Sequence, residues 1–107
     1  MTVDKKDVCI YNCIKRFEWD ENKRISNLEK HGIDFFDAHE IWDSLMLVAD
    51  DLRFNYGENR FIALGSLKNR IVACAYTTRK NKIIRIISLR KANSREVKYY
   101  EKIIKNN

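Results

Sequence analysis

Residues 82–91 constrain the fold more than any other segment, because they form a long β-branched run that also carries charge. The segment reads KIIRIISLRK. A run of this composition favours a buried strand. An arginine inside such a strand is costly unless it finds a partner or a polar cavity. Arg85 and Arg90 therefore predict an anion-binding site on this strand.

Length and composition predict one globular domain. The chain has 107 residues, of which 45% are hydrophobic and 34% charged, which fits a single core. No apolar run approaches the ~18 residues of a membrane-spanning helix, and no signal peptide opens the chain. We therefore expect a cytoplasmic protein. The cysteines at 9, 13 and 74 are expected to be reduced thiols in or near the core rather than disulfide or metal ligands.

The positive charge is concentrated at the C-terminal end. The formal net charge is +6, and 10 of the 21 basic residues but only 2 of the 15 acidic ones lie from Arg79 onward. Such a segment fits a polyanion such as RNA, although a solvated basic helix explains the charge equally well. Residues 34–51 carry six acidic residues and no lysine or arginine. This block is either a solvated helix face or a dock for a basic partner.

Local patterns predict an α+β domain on an antiparallel sheet. Helix signals include Asp20 as an N-cap and Gly32 as a left-handed C-cap around a helix over 20–30. Asn93 or Ser94 is expected to begin a final helix whose apolar and basic residues lie on separate arcs. The other predicted elements are a strand in the later part of 8–19, a helix over 34–42, strands over 45–50, 60–66, 70–77 and 82–89, a hairpin turn at 67–69 and a turn at 78–81.

Regular alternation along the last strand separates its two arginines. Side chains alternate between faces, so Ser88 and Arg90 are expected on the face of Ile84 and Ile86, and Arg85 on the other. The two arginines can line one pocket only if a bulge or the strand end redirects Arg90.

Three ordered groups of motifs span about residues 16–101. They are FEWDENK at 17–23 and NLEKHGIDF at 27–35, then YGENR at 56–60 with Gly65, then YTTR at 76–79, RIISLRKA at 85–92, Arg95-Glu96 and Tyr99 or Tyr100. In this order and spacing they resemble the BrnT family, although this sequence has leucine at position 89, where the family more often has alanine.

The resemblance implies a ribonuclease toxin of a type II toxin–antitoxin system that inhibits translation and growth. It implies a RelE-like fold with a four- to five-stranded antiparallel sheet, two N-terminal helices and a C-terminal helix. The implied partner is a BrnA-like antitoxin with a ribbon-helix-helix part, and the complex would bind its own promoter DNA. We expect one domain over 1–107, with residues 1–15 as an extension outside the resemblance.

The residue types fit RNA cleavage without a metal or other cofactor. The 2′-hydroxyl of RNA is the nucleophile, so the protein must supply a base, an acid and positive charge for the phosphorane, and arginine suits phosphate. The predicted catalytic residues are His31, Glu58, Arg60, Arg79, Arg85 and Arg90. The predicted RNA-binding residues are Lys30, Tyr56, Ser88, Lys91 and Arg95.

Other interpretations of these residues stay open. His31 also fits a helix C-terminal cation, and Glu58 could hold an arginine such as Arg60 or Arg85 instead of acting as a base. Arg79 fits a solvated turn. Phe54, Tyr56 and Tyr76 could stack on bases, with core packing favoured for Tyr76, whereas His39 is expected to be structural or on the surface. The alternative functions are a non-catalytic nucleic-acid-binding module and a purely interacting subunit whose activity has decayed.

Overall fold

The computed structural model describes residues 16–53, 55 and 57–105, which fold into an α+β domain. Five strands form one sheet in the order β1-β5-β4-β3-β2. The strands are β1 Arg16–Glu18, β2 Leu47–Asp50, β3 Phe61–Leu67, β4 Arg70–Arg79 and β5 Ile83–Lys91. The helices are α1 Glu21–His31, α2 His39–Trp42 and α3 Ser94–Lys105, with 3₁₀ turns at Phe35–Asp37 and Lys80–Lys82.

The predicted fold class is confirmed, but the sheet is not wholly antiparallel. β2, β3, β4 and β5 pair antiparallel in sequence order, whereas β1 pairs parallel with the first residues of β5. A parallel neighbour needs a long crossover, and the whole chain between β1 and β5 supplies it. The RelE-like assignment stays a prediction.

Helix α1 begins and ends where its caps predict. The Asp20 carboxylate accepts hydrogen bonds from the backbone N–H groups of Asn22 and Lys23 at 2.9 and 3.3 Å. Gly32 has φ +72° and donates its N–H to the Leu28 carbonyl. The residue that α1 buries is Asn27 rather than its two apolar residues.

The predicted second helix divides into a 3₁₀ turn and the short helix α2. Phe35, Ala38 and Ile41 are fully buried, and their spacing of three matches the repeat of a 3₁₀ turn. Asp34 accepts a hydrogen bond from the Phe36 N–H and so caps the turn. Together with α1, these segments cover one side of the sheet, which we call the helix face.

The hairpin between β3 and β4 turns at Lys68 and Asn69, as predicted. Both residues have positive φ, +49° and +67°, the conformation of a tight type I′ turn. Strand β4 continues to Arg79, two residues beyond its predicted end, so the expected turn at 78–81 becomes the 3₁₀ turn at Lys80–Lys82.

Helix α3 packs on the opposite side of the sheet. Tyr100 is buried against Leu64 and Ala73, and its hydroxyl donates to the Leu45 carbonyl at 2.8 Å. The predicted separation of apolar and basic arcs is confirmed, because Val97, Tyr100 and Ile104 are at least partly buried whereas the basic residues are exposed. Within the described residues, no helix is long and apolar enough to cross a membrane.

Candidate nucleic-acid interface

A β-bulge in β5 decides which side chains share a face. Ala75 pairs with Ser88 and Tyr76 pairs with Ile86, so Ile87 has no partner on β4. The extra residue reverses the alternation, and Leu89 joins Ile84 and Ile86 in the core on the helix face. The expectation that Arg85 and Arg90 lie on opposite faces is therefore wrong. The bulge places both arginines on one face, which was the stated exception.

The bulge brings the functional side chains of β5 to the side opposite the helix face. Residues paired directly across antiparallel strands point to the same side. Arg85 pairs with Thr77, Ser88 with Ala75 and Arg90 with Ala73. Arg79 on β4 and Glu18 on β1 point the same way by the same alternation. We call the surface formed by Glu18, Arg79, Arg85, Ser88 and Arg90 the arginine face.

Ion pairs join one end of the arginine face to the loop before β3. Glu18 contacts Arg85 at 2.9 Å and Arg79 at 3.6 Å. Glu58 contacts Arg79 at 4.0 Å and Arg60 at 2.9 Å. Arg85 is thus ion-paired, as its alternative interpretation expected, but its partner is Glu18 rather than Glu58. Because these side chains are partly exposed, each pair adds little stability, but together they fix where the guanidinium groups lie.

Arg90 is held by the first turn of α3. Its Nη1 and Nη2 donate to the two carboxylate oxygens of Glu96 at 2.8 and 3.0 Å. Donation of these hydrogen bonds to Glu96 raises the pKa of Arg90, and their acceptance from Arg90 lowers the pKa of Glu96. Glu96 also accepts from the Asn93 N–H while Asn93 accepts from the Glu96 N–H, which is a reciprocal helix cap. The direction of Arg90 is therefore tied to the start of α3.

Arg53, which was not predicted from the sequence as a site residue, also reaches the arginine face. Its Nε and Nη2 donate to Asp51 at 2.8 Å each, and the Asp51 side chain is only 1% exposed. Hydrogen bonding to Glu96 is the largest influence on the pKa of Arg90 and raises it, whereas the positive charge of Arg53 lowers that pKa. Such an effect is expected of neighbouring guanidinium groups. The acid-x-arginine spacing at 51–53 was the available signal, but Asp51 was interpreted only as the last residue of the acidic block, and Arg53 lies just beyond that block.

A small depression lies between Arg53 and Arg90. Its volume is about 40 Å³. We call it the phosphate pocket, and it is lined by Arg53, Ile62, Ala73, Ala75, Ser88 and Arg90.

A larger hollow lies at the edge of the sheet, beside the part of β5 that has no neighbouring strand. Strand β1 pairs with β5 only at residues 83–85, and beyond them α1 lies alongside β5. The depression between α1 and β5 is open to solvent and measures about 320 Å³. We call it the edge cavity, and it is lined by Asp20, Asn22, Lys23, Ser26, Asn27, Lys30, His31, Ile87 and Ser88. The structure thus places two predicted residues of α1, Lys30 and His31, in one cavity with Ser88.

Other predicted residues lie apart from these two hollows. Lys91 pairs with Val72, a residue of the helix face, and Arg95 is exposed on α3. Tyr76 belongs to the core, as favoured. His39 is exposed, 3.8 Å from Asp43. Phe54 and Tyr56 lie outside the described residues.

The comparisons with known proteins point to one family. The family model for "Ribonuclease toxin, BrnT, of type II toxin-antitoxin system" matches residues 19–96. The crystal structure of the Brucella abortus ribonuclease toxin BrnT is similar to this chain, with 29% sequence identity and a TM-score of 0.57, over 76% of this chain and 99% of that one. No curated protein matches significantly.

Proposed function

The chain belongs to the BrnT family of ribonuclease toxins of type II toxin–antitoxin systems, and from this we propose that it cleaves RNA at the arginine face without a metal ion. Such cleavage in the cytoplasm would inhibit translation and growth. Family membership implies an RNA substrate and an antitoxin partner.

The observation that carries the proposal is the bulge at Ile87. It turns Arg90 onto the side of the sheet that carries Arg79 and Arg85, so one surface presents several guanidinium groups. Guanidinium groups match phosphate by paired hydrogen bonds. Preorganised donors of this kind stabilise the charge that develops on a phosphorane.

Acid–base chemistry at or beside the arginine face has carboxylate and imidazole candidates. The substrate supplies its own 2′-hydroxyl nucleophile, so the protein needs only a proton acceptor and a proton donor. Glu18 and Glu58 lie among the arginines, and His31 lines the edge cavity beside Ser88. Histidine exchanges protons near neutral pH. We propose His31 as one proton-transfer group and retain Glu58 as a candidate base.

The remaining predicted residues take supporting roles in this proposal. Lys30 and Ser88 bind RNA in the edge cavity, and Arg60 holds Glu58 at 2.9 Å. Lys91, Arg95 and Tyr56 extend the RNA contact beyond the arginine face.

We propose a BrnA-like ribbon-helix-helix protein as the antitoxin. Its complex with the toxin would bind promoter DNA through the antitoxin. The acidic segment over residues 34–51 is the proposed contact for a basic antitoxin surface, because opposite charges favour association.

RNA cleavage in excess EDTA tests the central proposal. The purified chain, free of antitoxin, is incubated with total RNA beside an Arg90→Ala variant and a Lys102→Ala control that removes one exposed charge from α3. We expect cleavage by the wild type and the control but at least ~100-fold less by Arg90→Ala.

Two results would contradict the proposal. Full activity of Arg90→Ala would remove the arginine face from the reaction. Binding without cleavage, with affinity that falls steeply as salt rises, would indicate a nucleic-acid-binding module instead.

A further inference from the structure

We propose that the phosphate pocket receives the phosphate that is cleaved and that the edge cavity receives the adjoining nucleoside. The inference rests on the proposed ribonuclease function and adds to it a binding residue, Arg53, and a path for the RNA strand. The substrate it describes is single-stranded RNA that crosses the free edge of β5.

The floor of the phosphate pocket is made of small side chains. Ala73 and Ala75 are opposite Arg90 and Ser88 in the pairing of β4 with β5, so the polar groups of β5 stand beside methyl groups on β4. Ile62 on β3 pairs with Ala75 and closes the far side. A longer side chain at either alanine would fill the space between Arg53 and Arg90.

Each of the two arginines is oriented by its own carboxylate. Asp51 holds Arg53 and Glu96 holds Arg90, each through two hydrogen bonds of 3.0 Å or less. Asp51 is buried, so Arg53 is attached to the interior although it extends from a loop. In the Arg90–Glu96 contact only Nη1 and Nη2 donate, which leaves the Nε–H outside that contact. Arginines fixed in this way lose little side-chain entropy when they bind an anion.

The sizes of the two hollows distinguish their occupants. The phosphate pocket, at about 40 Å³, exceeds the ~10–15 Å³ of cavity that one water molecule needs but is far smaller than the edge cavity, so it has room for phosphate oxygens but not for a base. The edge cavity, at about 320 Å³, is at the lower end of the ~300–1,000 Å³ range of small-molecule sites. That volume suits one nucleoside.

Ser88 connects the two hollows. It lines both of them, so a phosphate between the arginines and a nucleoside in the edge cavity would be neighbours. Ile87, which the bulge leaves without a partner on β4, supplies an apolar surface in the edge cavity. Lys23, Lys30 and His31 supply positive or proton-donating groups there. The same bulge therefore shapes both parts of the site.

Binding of a non-cleavable oligonucleotide tests the inference separately from catalysis. A fluorescent tetranucleotide with 2′-deoxyriboses is titrated against the wild type, Arg53→Ala, and the double variant Lys23→Ala/Lys30→Ala. The matched control is Lys98→Ala/Lys102→Ala, which removes two exposed charges from α3. We expect at least ~10-fold weaker binding for Arg53→Ala and for Lys23→Ala/Lys30→Ala, and less than ~2-fold weaker binding for the control. The affinity of Arg53→Ala should also depend less on salt, by about one phosphate contact.

Filling the pocket gives a second test that leaves the charges in place. Ala75→Val should weaken binding of the same tetranucleotide at least ~10-fold, and its unfolding curve would show that the variant is folded. If Ala75→Val is unfolded, Arg53→Ala alone decides, because that side chain is 60% exposed.

The outcomes separate this inference from the proposed function. Equal losses for Arg53→Ala and the α3 control would overturn the phosphate pocket, and equal losses for the Lys23/Lys30 variant and the control would overturn the edge cavity. The expected binding pattern together with intact RNA in the cleavage assay would uphold the site and reject the ribonuclease function.

Discussion

The Asn27 side chain closes the free edge of β5 by bonding to both backbone groups of Leu89. Its Oδ1 accepts from the Leu89 N–H at 3.1 Å, and its Nδ2 donates to the Leu89 carbonyl at 2.7 Å. The same Nδ2 donates to the Ile33 carbonyl at 3.2 Å. The Asn27 amide, which belongs to α1, thus forms the two hydrogen bonds with β5 that a neighbouring strand would otherwise form. It also fixes one wall of the edge cavity.

Asn27→Ala should destabilise the fold by at least about 3 kcal/mol, because it leaves three buried backbone groups, the Leu89 N–H and the carbonyls of Leu89 and Ile33, without this partner at about 1–3 kcal/mol each. Chemical denaturation measures this loss. Glu29→Ala, at an exposed position of the same helix, is the control and should change stability by less than about 0.5 kcal/mol. A loss for Asn27→Ala no larger than that of the control would show that water replaces the amide.

Gly65→Ala should also be destabilising, although alanine usually stabilises a strand. A Cβ at position 65 would lie 2.6 Å from Cγ2 of Ile41. Overpacking costs about 1–3 kcal/mol, which exceeds the roughly 0.5–1 kcal/mol that alanine gains over glycine. We therefore expect a net loss of about 0.5–2 kcal/mol by the same two estimates.

A double-mutant cycle identifies the cause of that loss. In an Ile41→Ala background the clashing methyl is absent, so Gly65→Ala should cost about 1 kcal/mol less than in the wild type. Additive effects would rule out the contact with Ile41 as the reason for glycine.

Local signals in the sequence predicted the elements that depend on neighbouring residues only. Asp20 and Gly32 define α1, and Asn93 or Ser94 marks the start of α3. The amphipathic pattern of α3 likewise needs no knowledge of the rest of the chain.

Features that depend on residues distant in sequence could not be predicted. The bulge at Ile87 is defined by the register of β5 on β4, and Arg53 meets Arg90 only because the sheet brings their segments together. The buried Asn27 of α1 was missed for the same reason, since its partner is 62 residues away. Residue types therefore indicated that arginines form an anion site. Which arginines lie together on one surface could be seen only in the three-dimensional structure.

The Arg90–Glu96 pair should make stability depend on acid pH. Hydrogen bonding to Arg90 lowers the pKa of Glu96 from its ordinary value of 4.5. A carboxylate whose pKa falls on folding stabilises the protein above its unfolded pKa, and this contribution is lost as the pH falls through the folded pKa. The stability difference between wild type and Glu96→Gln should therefore be largest near neutral pH and shrink as the pH drops below about 4.5.

Denaturant titrations between pH 7 and pH 3 measure that difference. Glu101→Gln serves as the control, because Glu101 is exposed on the same helix and forms no ion pair with the residues the structure describes. A difference for Glu96→Gln that stays constant across this range would mean that its charge is not what holds Arg90.

Deletion of Ile87 should leave a folded protein with its faces unchanged. Ile87 is the residue without a partner on β4, so its removal converts the bulge into a regular strand in which Ser88 still follows Ile86. Arg85, Ser88 and Arg90 then keep one side, and Ile84, Ile86 and Leu89 keep the other. Insertion of an alanine between Ser88 and Leu89 has the opposite effect, because it turns Leu89 outward and Arg90 toward the core.

Thermal unfolding compares the two variants directly. We expect cooperative unfolding for the deletion, with a loss of about 1–2 kcal/mol, and an unfolded chain or a loss above about 4 kcal/mol for the insertion. Equal effects would mean that the bulge does not determine the direction of Arg90. If the deletion is folded as expected, its oligonucleotide affinity then reports on what the bulge contributes to the site, since Ile87 lines the edge cavity and the adjacent Ser88 lines both hollows while the arginines keep their side.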